Sequence, residues 1–215
     1  MTTGVASVIL DVDSTLCGIE GIDWLAERRG AVVGRQVIAL TDRAMRGEIA
    51  LDAVYGERLA LVRPSRAEID ALANAYAAAL APGAAEAIGL LRDAGRRLVI
   101  VSGGVHEAIL PVARLVGIDE CDVHAVSMHF DADGAYSGFE STSPLATAAG
   151  KRAVAASLGL PRRVVALGDG ATDLAMRPAI DAFAAFTGFV RRDRVVSAAD
   201  YVFESFSQLV ELVLA

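Results

Sequence analysis

The chain has 215 residues, of which 54% are hydrophobic and 22% are charged. This balance excludes an intrinsically disordered protein, and no apolar run is long enough to cross a bilayer, so we expect no membrane partner. The net charge of −7 and the scattered placement of lysine and arginine leave no basic face, so we expect no nucleic-acid partner.

Two features of the sequence bear on the cellular compartment. The chain passes from residues 1–4 directly into an apolar stretch, without the basic start and small-residue cleavage site of a signal peptide. Its two cysteines, Cys17 and Cys121, lie far apart and show neither metal-ligand nor disulfide spacing, which is typical of reduced thiols. We therefore expect a cytoplasmic protein.

The first predicted element is a buried strand at residues 5–10, which are apolar, rich in β-branched side chains and followed by acidic residues. The next segment, residues 20–81, contains helix-period patterns and no convincing strand. It predicts a helical insert. Its helices are expected at residues 22–28, 35–45, 51–62 and 65–79.

After the insert, helix and strand patterns alternate, which is typical of an α/β domain. Two more apolar strands end at small polar or acidic residues, and an alternating segment around an Asp-Gly pair predicts a hairpin. The strands are expected at residues 97–101 and 164–167, the hairpin at 125–140, and the helices at 82–94, 105–116 and 146–158.

Together these elements predict an α/β fold with a doubly wound, Rossmann-like parallel sheet and an inserted helical cap subdomain. We assign residues 1–16 and 82–215 to the core domain. Residues 17–81 are assigned to the cap, inserted after the first acidic motif.

Several acidic and polar residues follow the predicted strands. Asp11 and Asp13 are two apart, so both carboxylates can face one ligand. Ser102, Asp169 and Asp173 follow the other strands, and the carboxyl ends of parallel strands meet at one edge of a sheet. Carboxylates gathered there repel one another, which favours a bound cation. Because all the ligands are oxygens, we expect Mg²⁺ as the cofactor.

The same edge of the sheet suits a phosphoryl group. Asp11 is ionised at neutral pH and needs no neighbouring base to act as a nucleophile, which predicts an acyl-phosphate intermediate. Asp13, held protonated by its anionic neighbours, is the candidate general acid and base. Donors for the phosphoryl oxygens are expected from Lys151, Ser102 and the backbone N–H groups of Gly103 and Gly104.

Four short motifs resemble those of the haloacid dehalogenase superfamily of phosphatases, and within it the phosphoserine phosphatases, over nearly the whole chain. They occur in the family's order. The motifs are Asp11-Val12-Asp13-Ser14-Thr15, Ser102-Gly103-Gly104, Lys151, and Gly168-Asp169-Gly170-Ala171-Thr172-Asp173.

The resemblance implies a role for each motif. Asp11 would be the nucleophile and Asp13 the general acid and base, while Mg²⁺ would be held by Asp11, Asp169 and the backbone carbonyl of Asp13, with Asp173 supporting the metal. The phosphate-binding residues would be Ser102, Gly103, Lys151 and Thr172. The helical insert would close over the site and exclude water.

The resemblance also implies how the organic part of the substrate is bound. Glu20 would hold an amino group and Arg58 a carboxylate, a task that suits a planar guanidinium better than lysine. Met45 lies in the stretch Ala44-Met45-Arg46-Gly47, which is similar to the family's substrate-contacting stretch in the cap. The basic cluster of Arg191, Arg192 and Arg194 is interpreted as a solvated surface.

These residues predict an enzyme that hydrolyses O-phosphoserine to serine and phosphate, the last step of serine biosynthesis. Another small phosphomonoester, such as a phosphorylated sugar, aminoalcohol or homoserine, stays open as the substrate. A receiver-type switch with a lasting aspartyl-phosphate is an alternative of a different class. We expect a small-molecule partner and a monomer or homodimer.

Overall fold

The computed structural model describes residues 4–45, 49 and 51–215. The strands in these residues form a parallel sheet of six and an antiparallel pair. They are β1 (Ser7–Leu10), β2 (Arg97–Val105), β3 (Val123–Val126), β4 (Met128–Phe130), β5 (Tyr136–Phe139), β6 (Val164–Gly168), β7 (Ala182–Phe186) and β8 (Tyr201–Phe203).

In the described residues, five α-helices follow β1 in succession and β3, β4 and β5 come without an α-helix between them, whereas the other α-helices alternate with strands. The first four helices form the insert and are α1 (Gly21–Arg28), α2 (Ala31–Met45), α3 (Leu51–Val62) and α4 (Arg66–Ala78). The others are α5 (Ala84–Asp93), α6 (His106–Val116), α7 (Gly150–Ser157), α8 (Ala171–Leu174), α9 (Asp193–Val196) and α10 (Phe206–Leu214).

The parallel sheet has the strand order β3-β2-β1-β6-β7-β8. All four residues of β1 are buried, and Leu10 lies opposite Ile100 of β2 and Leu167 of β6. The chain first moves outward from β1 to β3, then returns to β6 beside β1 and moves outward in the other direction. This reversal leaves a crevice at the carboxyl ends of β1 and β6. The predicted doubly wound parallel sheet is confirmed.

The helical insert is also confirmed as part of the fold. Helices α1 to α3 pack on one another, and α4 packs against α6 of the sheet domain. The two connecting segments run side by side, because Gly18 N–H donates to the Ala79 carbonyl at 2.8 Å and Ala81 N–H donates to the Leu16 carbonyl at 2.9 Å. The domain boundaries assigned at residues 17 and 81 lie in these segments and stay predictions.

Some predicted boundaries were wrong. Strand β2 continues through Ser102 to Val105 instead of ending at residue 101, with a register shift against β3. The helix expected from residue 146 begins at Gly150, because a 3-10 turn at Pro144–Ala146 comes first. The backbone at Pro144 packs closely against Gly150, because a Cβ at position 150 would lie 1.8 Å from the Pro144 carbonyl oxygen.

Three strands of the parallel sheet were not predicted, namely β3, β7 and β8. The expected hairpin is confirmed as β4 and β5, but the first residues assigned to it belong to β3. Within the described ranges, no helix combines the length and the apolar character that a membrane span requires.

The insert is held together near α4 by Glu68. Ser65 N–H donates to Glu68 Oε2 at 2.8 Å and Glu68 N–H donates to Ser65 Oγ at 3.3 Å, which is a capping box. Arg29, which follows α1, donates to Glu68 Oε2 at 2.6 Å and to the Val62 carbonyl of α3 at 2.7 Å. The hydrogen bond from Arg29 lowers the pKa of Glu68 to about 2. The ion pair of Arg29 and Glu68 therefore links α1, α3 and α4.

Glu68→Gln should keep the cap and lose the ion pair, so the free energy of unfolding at neutral pH should fall by about 0.5–1 kcal/mol for this partly exposed pair. Because the folded state lowers the pKa from 4.5, the stabilisation is present above that pH and disappears as the pH falls toward 2. Urea unfolding of both proteins from pH 7 downward should show the difference shrinking below 4.5. The control is Glu86→Gln, in the first turn of α5. A difference that grows at acid pH would contradict this assignment.

Candidate active site

A cavity of about 240 Å³ lies at the carboxyl ends of β1 and β6, between the sheet domain and the helical insert. Its size suits a small molecule. Both parts of the chain contribute to its walls. The residues used below are Asp11, Asp13, Glu20, Tyr55, Arg58, Gly103, Lys151, Asp169, Thr172, Asp173 and Arg192.

Three carboxylates form a cluster at the base of the cavity. Asp11, Asp169 and Asp173 each place an oxygen within 4.8 Å of the others, and they are exposed by only 4%, 4% and 1%. Thr15 Oγ1 donates to Asp169 Oδ1 at 3.2 Å, and Gly170 N–H donates to Asp173 Oδ2 at 2.9 Å. The predicted convergence of these acidic side chains is what the structure shows.

The close approach of Asp173 to β6 requires glycine at the last position of that strand. A Cβ at Gly168 would lie 2.3 Å from Cγ of Asp173, closer than atoms can pack. Asp173 itself is in α8, which begins directly after Gly170. The missing side chain at position 168 therefore leaves room for Asp173 beside the strand end that carries Asp169.

Lys151, at the start of α7, is the buried cation of the cluster. Its Nζ lies 2.7 Å from Asp11 Oδ1 and 2.6 Å from Asp173 Oδ1. Burial alone would lower the pKa of Lys151, but the two carboxylates together raise it above its ordinary value, so the ammonium stays charged. Burial and then the charge of Asp11 raise the pKa of Asp173 to about 7, against the opposing effect of Lys151. One lysine leaves the cluster with net negative charge.

Asp13 lies beside this cluster and is held by the insert. Its Oδ1 accepts hydrogen bonds from Gly21 N–H at 2.8 Å and from the Tyr76 hydroxyl at 2.6 Å. Burial, followed by the charges of Glu20 and Asp11, raises the pKa of Asp13 to about 7. Asp11 and Asp13 thus both follow the end of β1 but have different surroundings. Asp11 is paired with Lys151, whereas Asp13 accepts hydrogen bonds from neutral donors.

The end of β2 forms another wall of the site. Gly104 N–H donates to Ser102 Oγ at 3.0 Å, and Gly103 faces the cavity. A Cβ at Gly104 would lie 3.0 Å from Asp13 Oδ2, so glycine leaves room for that carboxylate. Thr172, in α8, also lines the cavity. The structure therefore brings the phosphate-binding candidates Gly103, Lys151 and Thr172 to the cavity, whereas Ser102 is fully buried and does not line it.

Of the three candidate substrate-binding residues in the insert, the structure places two at the cavity. Glu20 and Arg58 line the cavity, where Ser14 Oγ donates to Glu20 Oε1 at 2.8 Å and Arg58 NH2 donates to Asp23 Oδ1 at 2.5 Å. The backbone of Met45 ends α2, but its side chain lies outside the described residues, as does the rest of the stretch at residues 46–47.

Arg192 is a site residue that sequence analysis missed. Its guanidinium contacts Asp169 Oδ2 and lies 3.4 Å from Glu20 Oε1. The interpretation of the basic cluster as a solvated surface was wrong for this residue. A single arginine in a loop gives no local signal, because the fold of β7 and the following loop decides where its side chain points.

The cluster fits a hard divalent cation. Its donor set is three buried carboxylates with oxygen donors only, and the two positive charges of Lys151 and Arg192 do not balance them. Oxygen donors and uncompensated negative charge are what Mg²⁺ and Ca²⁺ select, whereas zinc sites usually contain nitrogen or sulfur.

Comparison with known proteins places this arrangement in a family. A sequence model described as haloacid dehalogenase-like hydrolase matches residues 8–178. Phosphoserine phosphatase of Homo sapiens is 35% identical over 207 residues, which cover 95% of this chain and 91% of that protein. The chloroplastic phosphoserine phosphatase of Arabidopsis thaliana is 33% identical over 96% of this chain and 71% of that protein.

The solved structures agree with this fold. A phosphoserine phosphohydrolase-like protein from Francisella tularensis superposes with a TM-score of 0.85 at 25% identity. The match covers 97% of this chain and all of that one.

Adding MgCl2 to the metal-free protein should raise its melting temperature, because a cation that binds only the folded cluster stabilises the folded state by mass action. For a chain of this length we expect about 2–4 °C for each kcal/mol of binding free energy. Asp169→Asn should reduce the shift, since it removes one of three carboxylates. Differential scanning calorimetry measures both.

The matched control for this prediction is Asp119→Asn, at an exposed position remote from the cavity. It should keep the full magnesium-dependent shift. Equal shifts in the wild type and in Asp169→Asn would contradict the assignment of the cation to this cluster.

Proposed function

The chain belongs to the haloacid dehalogenase-like hydrolase family, and we propose that it is a phosphomonoesterase that hydrolyses O-phosphoserine to serine and phosphate. The observation that carries this proposal is the buried Asp11, whose Oδ1 lies 2.7 Å from Lys151 Nζ. Asp11 follows β1, where the strand order of the sheet reverses. The relatives named phosphoserine phosphatase support the substrate. We place the reaction at the end of serine biosynthesis.

In the first half of the reaction, an ionised oxygen of Asp11 attacks phosphorus and the bond from phosphorus to the serine oxygen breaks. Asp11 then carries the phosphoryl group as an acyl phosphate. The ammonium of Lys151 lies beside this carboxylate, where it can also bind an oxygen of the phosphoryl group. Ser102, the Gly103 N–H and Thr172 are proposed to hold the remaining oxygens.

Asp13 is proposed to move the two protons that the reaction requires. Protonated, it gives its proton to the departing serine oxygen; as a carboxylate, it then accepts a proton from the water that attacks phosphorus. That attack releases phosphate and restores the Asp11 carboxylate. The raised pKa of Asp13, which comes first from burial, supports this role at neutral pH.

The carboxylates of Asp11, Asp169 and Asp173, with the backbone carbonyl of Asp13, are proposed to hold Mg²⁺. When bound, Mg²⁺ supplies positive charge that lets an anionic nucleophile approach an anionic phosphate. Arg192 also contacts Asp169.

The helical insert, residues 17–81, is proposed to act as a cap that recognises the organic part of the substrate. Glu20 offers a carboxylate for the substrate's ammonium group, and Arg58 offers a guanidinium for its carboxylate. Met45 is proposed to contact the substrate from the end of α2. Closure of the cap would keep bulk water from the acyl phosphate.

The enzyme with MgCl2 should release phosphate from O-phosphoserine with a higher kcat/KM than from a simple aryl phosphate, since only the former fits Glu20 and Arg58. Asp13→Asn should lower kcat by about 10²- to 10⁴-fold, because neither proton transfer can occur. The control is Asp133→Asn in the exposed hairpin turn. An unchanged kcat in Asp13→Asn would contradict the acid-base role of Asp13. An equal kcat/KM for O-phosphoserine and the aryl phosphate would contradict O-phosphoserine as the substrate.

Arg58→Ala should raise the KM for O-phosphoserine by about 10- to 100-fold, the loss expected for hydrogen bonds to a charged group. The KM for phosphoethanolamine, which lacks the carboxylate, should change much less. Steady-state kinetics on both substrates tests this, with Arg35→Ala on the exposed face of α2 as the control. An equal rise for both substrates would show that Arg58 does not read the carboxylate.

A further inference from the structure

The hydroxyl of Tyr55 is buried and has no partner. Tyr55 lies in α3, is only 9% exposed and lines the active-site cavity. Its ring packs against Phe139 of the β4–β5 hairpin, with the ring centroids 5.3 Å apart. Among the residues that the structure describes, none forms a hydrogen bond with its hydroxyl. The ring is therefore held by packing at the wall of the cavity, and its buried hydroxyl is left unpaired.

Such a group needs a physical explanation. Nearly all buried polar atoms in folded proteins have a hydrogen-bond partner, because leaving one unpaired removes its hydration without compensation. A phenylalanine would fill the same space against Phe139 without that penalty. An unpaired hydroxyl at the wall of a binding cavity indicates that its partner arrives with the ligand.

A second unpaired donor lies on the same face of α3. Arg58 is three residues after Tyr55, which places the two side chains next to each other on the helix. Arg58 NH2 is held by Asp23 at 2.5 Å, while its Nε is buried and has no partner within the described residues. The salt bridge fixes the guanidinium, so its free N–H has a defined direction.

Both groups act as hydrogen-bond donors. Burial and then the charge of Asp13 raise the pKa of Tyr55 above its ordinary value, while Arg58 acts in the opposite direction. The phenol therefore keeps its proton at neutral pH, and a guanidinium nitrogen such as Arg58 Nε can donate but not accept. Two adjacent donors, one of them charged, match a group with two acceptor oxygens and a negative charge, which describes a carboxylate.

We propose that Tyr55 is a substrate-binding residue whose hydroxyl donates to the carboxylate of the substrate beside Arg58, so that the two side chains together select phosphomonoesters that carry a carboxylate. This inference rests on the proposed function and adds to it a second specificity-determining group. A phenol donates a directional hydrogen bond and adds no positive charge. A second positive charge here would repel the ammonium group of an amino-acid substrate.

The test is Tyr55→Phe, which removes only the hydroxyl and keeps the ring against Phe139. The KM for O-phosphoserine should rise about tenfold with kcat within about twofold, as expected for the loss of one hydrogen bond to a charged group. The ratio of kcat/KM for O-phosphoserine to that for phosphoethanolamine should fall by a similar factor. If phosphoethanolamine is not turned over, its inhibition constant replaces its kcat/KM.

The stability of Tyr55→Phe tests the role of Tyr55 independently of the kinetics. Without ligand, Tyr55→Phe should unfold in urea at the same concentration as the wild type or a higher one, because an unpaired buried hydroxyl has been removed. A merely structural tyrosine would lose stability on this change and would leave the substrate ratio alone. The control is Tyr201→Phe, an exposed tyrosine on β8 remote from the cavity, which should move neither quantity.

The outcomes separate this inference from the function on which it rests. If the wild type does not hydrolyse O-phosphoserine, the proposed function fails. If the wild type does so and Tyr55→Phe leaves the KM and the substrate ratio unchanged, the role of Tyr55 is overturned while the proposed function stands. A fall in kcat for both substrates with no change in the ratio would also overturn it.

Discussion

Repulsion between three buried carboxylates is the constraint on which the site depends. Two unit charges 4 Å apart repel by about 4 kcal/mol at an effective dielectric constant of about 20, and Asp11, Asp169 and Asp173 place oxygens within 4.8 Å of one another. Lys151 bridges two of them and Arg192 contacts the third. The protein thus supplies part of the compensating charge and leaves room for a cation to supply the rest. Lys151 thereby places positive charge 2.7 Å from the Asp11 carboxylate that we propose attacks the phosphate.

The sheet brings these groups together because of where its strand order reverses. β1 and β6 are neighbours in space although the helical insert and four strands separate them in the chain, so Asp11 and Asp169 lie side by side. Glycine at position 168 then lets Asp173 approach the strand end. The insert supplies the opposite wall through Glu20, Tyr55 and Arg58. Its Tyr76 hydroxyl and Gly21 N–H hold Asp13. The groups that we propose for catalysis and for recognition therefore come from different parts of the chain and meet at one cavity.

The sequence predicted those parts of the fold and of the site that depend on local patterns of apolar and acidic residues. Apolar strands that end in Asp11 and Asp169 predicted both the sheet and the acidic edge, because parallel strands share one carboxyl end. β7 escaped prediction because its sequence, AFAAF, has no β-branched residue and gains its strand form from burial in the sheet. β8 is only three residues long, too short for a periodic signal. Arg192 and Tyr55 depend on tertiary placement, since neither a loop arginine nor a helical tyrosine differs locally from its surface or core equivalents.

The most direct test of the account is whether Asp11 carries the phosphoryl group during turnover. The protein with MgCl2 would be mixed with O-phosphoserine, quenched in acid within milliseconds and analysed by peptide mass spectrometry. We predict that the peptide containing Asp11 gains the mass of one phosphoryl group, and that hydroxylamine removes it. Turnover with no phosphorylated peptide, or with the phosphoryl group on another residue, would contradict the account.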